Sequence, residues 1–151
     1  MAVITTSGFS DLLKDLQGLA DDTENIVEGM LDAGSDVAVE AWRDGIQQEE
    51  HKIRASDGKG FVNKRGYVDT GDMLQSVGRA SNTRKKNTAE IYPQGKDRKG
   101  VRNAEKAFIL NYGTSSYQGS RFVEDLEEKA SPDIYAAMGN VMDDALKKHG
   151  L

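Results

Sequence analysis

The segment IVEGMLDAGSDVAVEAWRDGI, residues 26–46, decides how the chain is read. Ile26, Val27, Met30, Leu31, Gly34, Val37, Ala38, Ala41, Trp42 and Ile46 recur at steps of three and four, so one stripe stays apolar for about six helical turns. Ala33, Gly34, Ala38 and Ala41 keep that stripe shallow enough for a second backbone to approach. A long helix that another backbone can approach closely is therefore predicted, with polar QQEEHKIRASDGKG fraying it before Ser56.

A second apolar stripe lies at the other end of the chain. Phe122, Val123, Leu126 and Ala130 share a face; Ser131-Pro132 restarts or kinks the helix; Ile134, Tyr135, Met138, Val141, Met142, Ala145 and Leu146 continue the stripe. Before the long helix, AVITT at 2–6 reads as a strand or arm. Phe9, Leu12, Leu13, Leu16 and Leu19 make 9–19 an amphipathic helix, and Asp21-Asp22-Thr23 offers a cap for the next one. Between the long helices come a short helix at 70–77 capped by Asp69 or Thr70, a hairpin from SVGRASN and NTAEIYPQG, and a helix over 104–112 capped by Asn103. The expected fold class is α+β, a small antiparallel β-sheet packed against a long N-terminal helix and a long C-terminal helix, in one domain over 1–151. Mobile glycine-rich loops are expected near 55–69 and 94–103.

The net charge of −5 hides a polarity: residues 52–106 hold 14 of the 20 Lys and Arg but 6 of the 25 Asp and Glu, which is +8 against −13 for the flanks. Opposite patches of this kind steer association with other copies or with charged neighbours, and a simply solvated surface accounts for the same counts. The absence of cysteine removes disulfides, thiol nucleophiles and thiolate metal sites. Neither His51 nor His149 is placed beside a partner for catalysis, both reading as solvated surface, and the carboxylate clusters read as solvated helix faces. No cofactor, metal or catalytic residue is expected. With no long apolar run and no secretory layout at MAVITTSGFS, a soluble product made in a cytoplasm is expected, without a membrane partner.

The stretch AFILNYGTSSYQGSRFVEDL, 107–126, joins a helix to the C-terminal helix through small and polar residues. Tyr112, Gly113, Thr114 and Phe122 are predicted to form a structural corner: Phe108 and Tyr112 in the core, Gly113 as helix stop, Thr114 bonding the turn and Phe122 anchoring the far side. Ser116, Tyr117 and Gln118 would then sit on an exposed contact loop. Lys64, Arg65, Arg84, Lys85, Lys86, Arg98, Lys99 and Arg102 are candidates for contacts with a neighbouring copy or, in a second reading, for nucleic-acid phosphates.

Three landmarks in order resemble the head-tail joining or tail-completion family of tailed-bacteriophage neck proteins, related to the lambda-type tail protein Z. They are the helical N-terminal third with its glycine-and-alanine face; Gly71, Met73, Ser76 and Val77 within TGDMLQSV; and Ala107 to Tyr112, Gly113-Thr114, a variable loop, then Phe122 and Ala130. The acid that the family places before the aromatic is Asn111 here, and its proline before phenylalanine is Arg121. The resemblance implies a structural virion protein without enzymatic activity. It implies a homo-oligomeric ring, commonly of six copies, between the head connector or stopper and the tail terminator or tail tube, with DNA only as passing cargo. A tail terminator and a nucleic-acid-binding accessory protein are the alternatives, and an unrecognised carboxylate hydrolase stands behind them.

Overall fold

The computed structural model describes residues 7–57, 71–81, 86–115 and 117–151. The elements run α1 (Ser7–Asp21), α2 (Thr23–Asp57), α3 (Asp72–Gln75), β1 (Val77–Arg79), β2 (Ile91–Pro93), α4 (Asn103–Tyr112), β3 (Gly113–Thr114), β4 (Tyr117–Gln118) and α5 (Phe122–Lys148). This is the α+β arrangement expected, with α2 and α5 as the two long helices. Expectations for AVITT, for Asp69 and Thr70 and for most of the 55–69 loop fall outside the described residues.

α2 and α5 pack antiparallel along their length. A Cβ on Gly29 would touch Val141, one on Gly34 would meet Met138 and Ile134, and one on Gly45 would meet Leu126 and Phe122. Rising numbers on one helix meet falling numbers on the other, and missing side chains on α2 admit large ones from α5. α2 does not end before Ser56 as its polar sequence suggests but continues to Asp57. α5 likewise passes through Ser131-Pro132 without a restart, and the Ser131 hydroxyl donates to the Glu127 carbonyl at 2.6 Å.

The core gathers where α2 meets the small elements. Ile46 is fully buried, with Met73, Val77, Ala107, Leu110 and Phe122 around it and Val39, Trp42 and Ile91 at its margin. Trp42 and Phe122 meet edge to face at 5.8 Å between centroids, tying α2 to the first turn of α5. β1 and β2 form an antiparallel pair with Val77 opposite Pro93 and Arg79 opposite Ile91. Arg79 fastens that pair to α2 through Glu28 at 3.1 Å and through Asp32.

Two helix starts differ from the sequence reading. α3 begins after Gly71, which adopts φ 73° and provides no side-chain cap. α4 begins at Asn103 rather than after it, so Asn103 is not the cap. Its side chain is buried and donates to the Gln94 carbonyl at 2.8 Å, linking α4 to the segment after β2.

Candidate functional site

α4 and the corner after it carry a connected set of specific polar contacts. The buried positions of α4 are Asn103, Lys106, Ala107, Leu110 and Asn111, spaced by threes and fours. Phe108 and Tyr112 lie off that face and are 60% and 52% exposed, so neither packs in the core as expected. They stack on each other outside, 4.7 Å between centroids, and the Arg121 guanidinium lies 5.2 Å from the Tyr112 ring. The buried polar residues of α4 each meet a specific partner: Asn103 the Gln94 carbonyl, Lys106 Asp97, and Asn111 the start of α5.

Asn111 is the clearest case. Its carbonyl oxygen accepts from the Val123 N–H at 2.9 Å, and its amide donates to the Glu124 carboxylate at 2.9 Å. One side chain of α4 thus satisfies a free backbone donor in the first turn of α5. The chain between them closes the loop from the other direction: Ser120 N–H donates to the Leu110 carbonyl and Arg121 N–H to that of Asn111, both at 3.0 Å. Asn111, then its own peptide group and Arg121, hold the Glu124 carboxyl below its ordinary value.

Gly113 stops α4 as expected, although not in left-handed helical geometry. Its φ of 81° and ψ of −168° lie in a region that essentially only glycine occupies, which sends the chain straight into β3. Thr114 pairs with Tyr117 and Gly113 with Gln118 across a two-residue-per-strand hairpin. Phe122 is buried, the anchor that the sequence suggested. Gly119 was not singled out by sequence, yet a Cβ there would collide with the backbone of Asn111, Tyr112 and Gly113. Its position in a run of small residues gives no local sign of that.

The glycine-rich loop at 94–103 is closed on itself around Asp97. This carboxylate is buried and accepts from the Lys99 and Val101 N–H groups at 2.9 and 2.8 Å. Its other oxygen lies 2.7 Å from Lys106, itself 6% exposed. Lys106 foremost, then the two peptide donors, keep the Asp97 carboxyl below its ordinary range against the opposing effect of burial. Gly95 and Gly100, at φ 64° and 84°, make the turns, and Lys96 bridges Arg102.

Of the interface candidates, Lys99, Arg102 and Gln118 are exposed. Arg98 is exposed while its guanidinium meets Asp72 at 2.8 Å, and Lys86 reaches Glu24 at 3.0 Å. Tyr117 lies in β4. Lys64, Arg65, Arg84, Lys85 and Ser116 lie outside the described residues. The described candidates therefore fall in separate places: Lys86 stands beside the start of α2, Arg98 beside α3.

At the far end of the molecule His149 is half-buried rather than simply solvated. It lies against Gly18 and 3.4 Å from Asp22, whose carboxylate also meets Lys148 at 2.8 Å and Asn25 at 2.8 Å. These partners, Lys148 first, drive the Asp22 carboxyl far below its usual range. The cluster clamps the α1–α2 junction to the end of α5. Among the described residues no group of three His, Asp or Glu side chains is placed to hold a metal ion, and no helix is long and apolar enough to cross a membrane.

A groove between α2 and α5 has an apolar floor of Val37, Ala41, Phe122 and Leu126 and a rim rich in carboxylates, including Glu40, Asp44, Asp125 and Asp133. No family model, curated protein or solved structure matches this chain.

Proposed function

We propose that the chain is a structural component of a tailed-phage neck, a ring at the head-tail interface that completes the tail and joins it to the head connector while DNA passes through. The reading rests on the three sequence landmarks, and one structural observation carries it further. α1 turns its apolar stripe outward: Phe9, Leu12, Leu13 and Leu16 are between 43% and 62% exposed. A helix of this kind gains its stability from burying its apolar face, and an assembling chain supplies that cover from outside itself.

The polarity of charge supports the same reading, with an acid-rimmed groove on the helical pair and basic residues on the small elements. It favours assembly over nucleic-acid binding, because Lys86, Arg98 and Lys106 already face carboxylates of the same molecule. The test is negative-stain imaging of the purified protein, alone and with tails lacking their upper ring. Closed rings with a central hole, and restored joining of tails to heads, are the expected results. A particle that never forms rings and leaves joining unrestored overturns the proposal.

A further inference from the structure

The groove between α2 and α5 carries charge that its own chain leaves unanswered. Five carboxylates line it, those of Glu40, Asp44, Glu49, Asp125 and Asp133, against the one ammonium of Lys129. Glu40 is met by Arg43 at 3.0 Å and Glu49 is buried, whereas Asp44, Asp125 and Asp133 are exposed and make no ion pair among the described residues. The groove's volume of about 380 Å³ is at the low end for sites that enclose a small ligand, and it suits a few side chains of a docking loop.

A complementary surface stands on the loop between β2 and α4. Lys96, Lys99 and Arg102 are exposed and likewise make no ion pair among the described residues, while Arg98 and Lys106 are taken by Asp72 and Asp97. Lys96 and Arg102 oppose each other across an antiparallel bridge, which sets two cations side by side. Like charges directly opposite are destabilising, and Glu105, three residues on, pairs with neither. A carboxylate from outside relieves that repulsion. The loop is also ordered before it meets anything: Asp97 accepts from the Lys99 and Val101 N–H groups, and its own N–H donates to the Val101 carbonyl at 2.8 Å. Docking a preformed loop costs little in ordering.

Within one chain the two surfaces look away from each other. Val39, Trp42 and Ile46 turn one side of α2 to the small elements. Val37, Asp44 and Gln48, which line the groove, each stand two residues from one of these, about 200° round the helix. Phe122 lies at the boundary, packed in the core cluster and forming part of the groove floor. The loop belongs with the small elements, through Arg98 on Asp72 of α3 and Asn103 in α4. A loop therefore meets a groove only on another copy, and contact between unlike surfaces propagates head to tail into rings or filaments.

We infer that the 96–102 loop of one copy sets its cations on the carboxylate rim of the α2–α5 groove of the next. This rests on the ring reading and names the contact that closes the ring.

The experiment is sedimentation velocity of the full chain across a concentration series, with two charge-reversed variants: Lys99→Glu with Arg102→Glu on the loop, and Asp44→Lys with Asp133→Lys on the groove. Thermal melts establish that each is folded; Lys99→Gln with Arg102→Gln, or Asp44→Asn with Asp133→Asn, replaces a variant that is not. Each variant alone is expected to sediment as one chain of 16.5 kDa. An equal mixture of the reversed variants should assemble as the wild type does, because every loop then finds a groove of opposite charge. With a neutral replacement the mixture should stop at pairs. Variants that assemble alone like the wild type overturn the inference and leave the ring reading intact. Variants that stay monomeric when mixed overturn it too, since each surface then meets something other than its complement. If the wild type binds a short DNA duplex at physiological salt, the loop variant does not, and both assemble alike, the cations serve phosphate and the inference falls. Wild-type chain that is monomeric at every concentration and forms no rings removes both the inference and the reading beneath it.

Discussion

Along α2 the face turned to α5 is built mainly of apolar and glycine positions, with Ser35 and Glu49 buried among them, whereas along α4 Asn103, Lys106 and Asn111 are buried while Phe108 and Tyr112 face outward. The two helices are oriented by different physics. α2 is held by area: Gly34 and Gly45 let Met138, Leu126 and Phe122 in, and hydrophobic burial needs no specific partner. α4 is held by pairing, since a buried amide or ammonium is tolerated only where acceptors and donors stand ready. Area survives modest changes of shape. Pairing does not.

The largest effect is expected where pairing depends on a backbone approach. Gly119→Ala drives a methyl group into the peptide atoms of Asn111, Tyr112 and Gly113, which cannot move without releasing the Ser120 and Arg121 hydrogen bonds. A loss of more than about 4 kcal/mol is expected, at the exceptional end for single substitutions. Gly113→Val strains φ 81° in the same corner and should follow close behind. Denaturant unfolding measures both. Near-native stability of Gly119→Ala would show that the corner is not closed as described.

Ile46→Ala tests the other region. The side chain is fully buried in the apolar cluster, and its truncation should cost about 2–5 kcal/mol with the unfolding transition still cooperative. That loss should be independent of pH between neutral and mildly acidic conditions.

The polar pairs, those of α4 and the Asp22 clamp at the far end alike, should not share that independence. Asp97, Asp22 and Glu124 are each held below their ordinary values, 3.8 for the aspartates and 4.5 for the glutamate. In the unfolded chain they take up protons first as pH falls, so the unfolded state binds more protons and stability declines from about pH 5 downward. Above that range their contribution is complete. Asp97→Asn should lower stability at neutral pH and flatten part of the acid decline. An unchanged acid limb in that variant would show that the Asp97–Lys106 pair contributes nothing to it.

How legible each region was follows from the same contrast. The two long helices and the anchor at Phe122 could be read because apolar periodicity reports area directly, and the β1–β2 hairpin from two short segments about a polar turn, whereas the packing of α2 on α5 was not specified by either. The burial of Lys106 and the outward turn of Phe108 could not, because their causes lie elsewhere in sequence: Asp97 for one, Val123 and Glu124 through Asn111 for the other. Gly119 is read only once the chain has returned to Asn111 in space. The outward face of α1 reversed an ordinary expectation, that an amphipathic helix turns its apolar side to its own core.

The smallest effect makes the sharpest test of the contrast, since it concerns two phenylalanines fourteen residues apart. Phe122 is 5% exposed and meets Trp42 edge to face; Phe108 is 60% exposed and meets only the surface stack of Tyr112 among the described ring contacts. Truncating Phe122 to alanine should cost about 3–5 kcal/mol, as for any buried aromatic. Truncating Phe108 should change the stability of the isolated chain by no more than about 0.5 kcal/mol, the range for surface substitutions. Hydrophobicity alone ranks the two residues equally, so a large loss at Phe108 in dilute, monomeric protein would mean that α4 is oriented by its aromatics after all. A small loss there, together with impaired assembly at high concentration, would place the worth of that ring between molecules instead of within one.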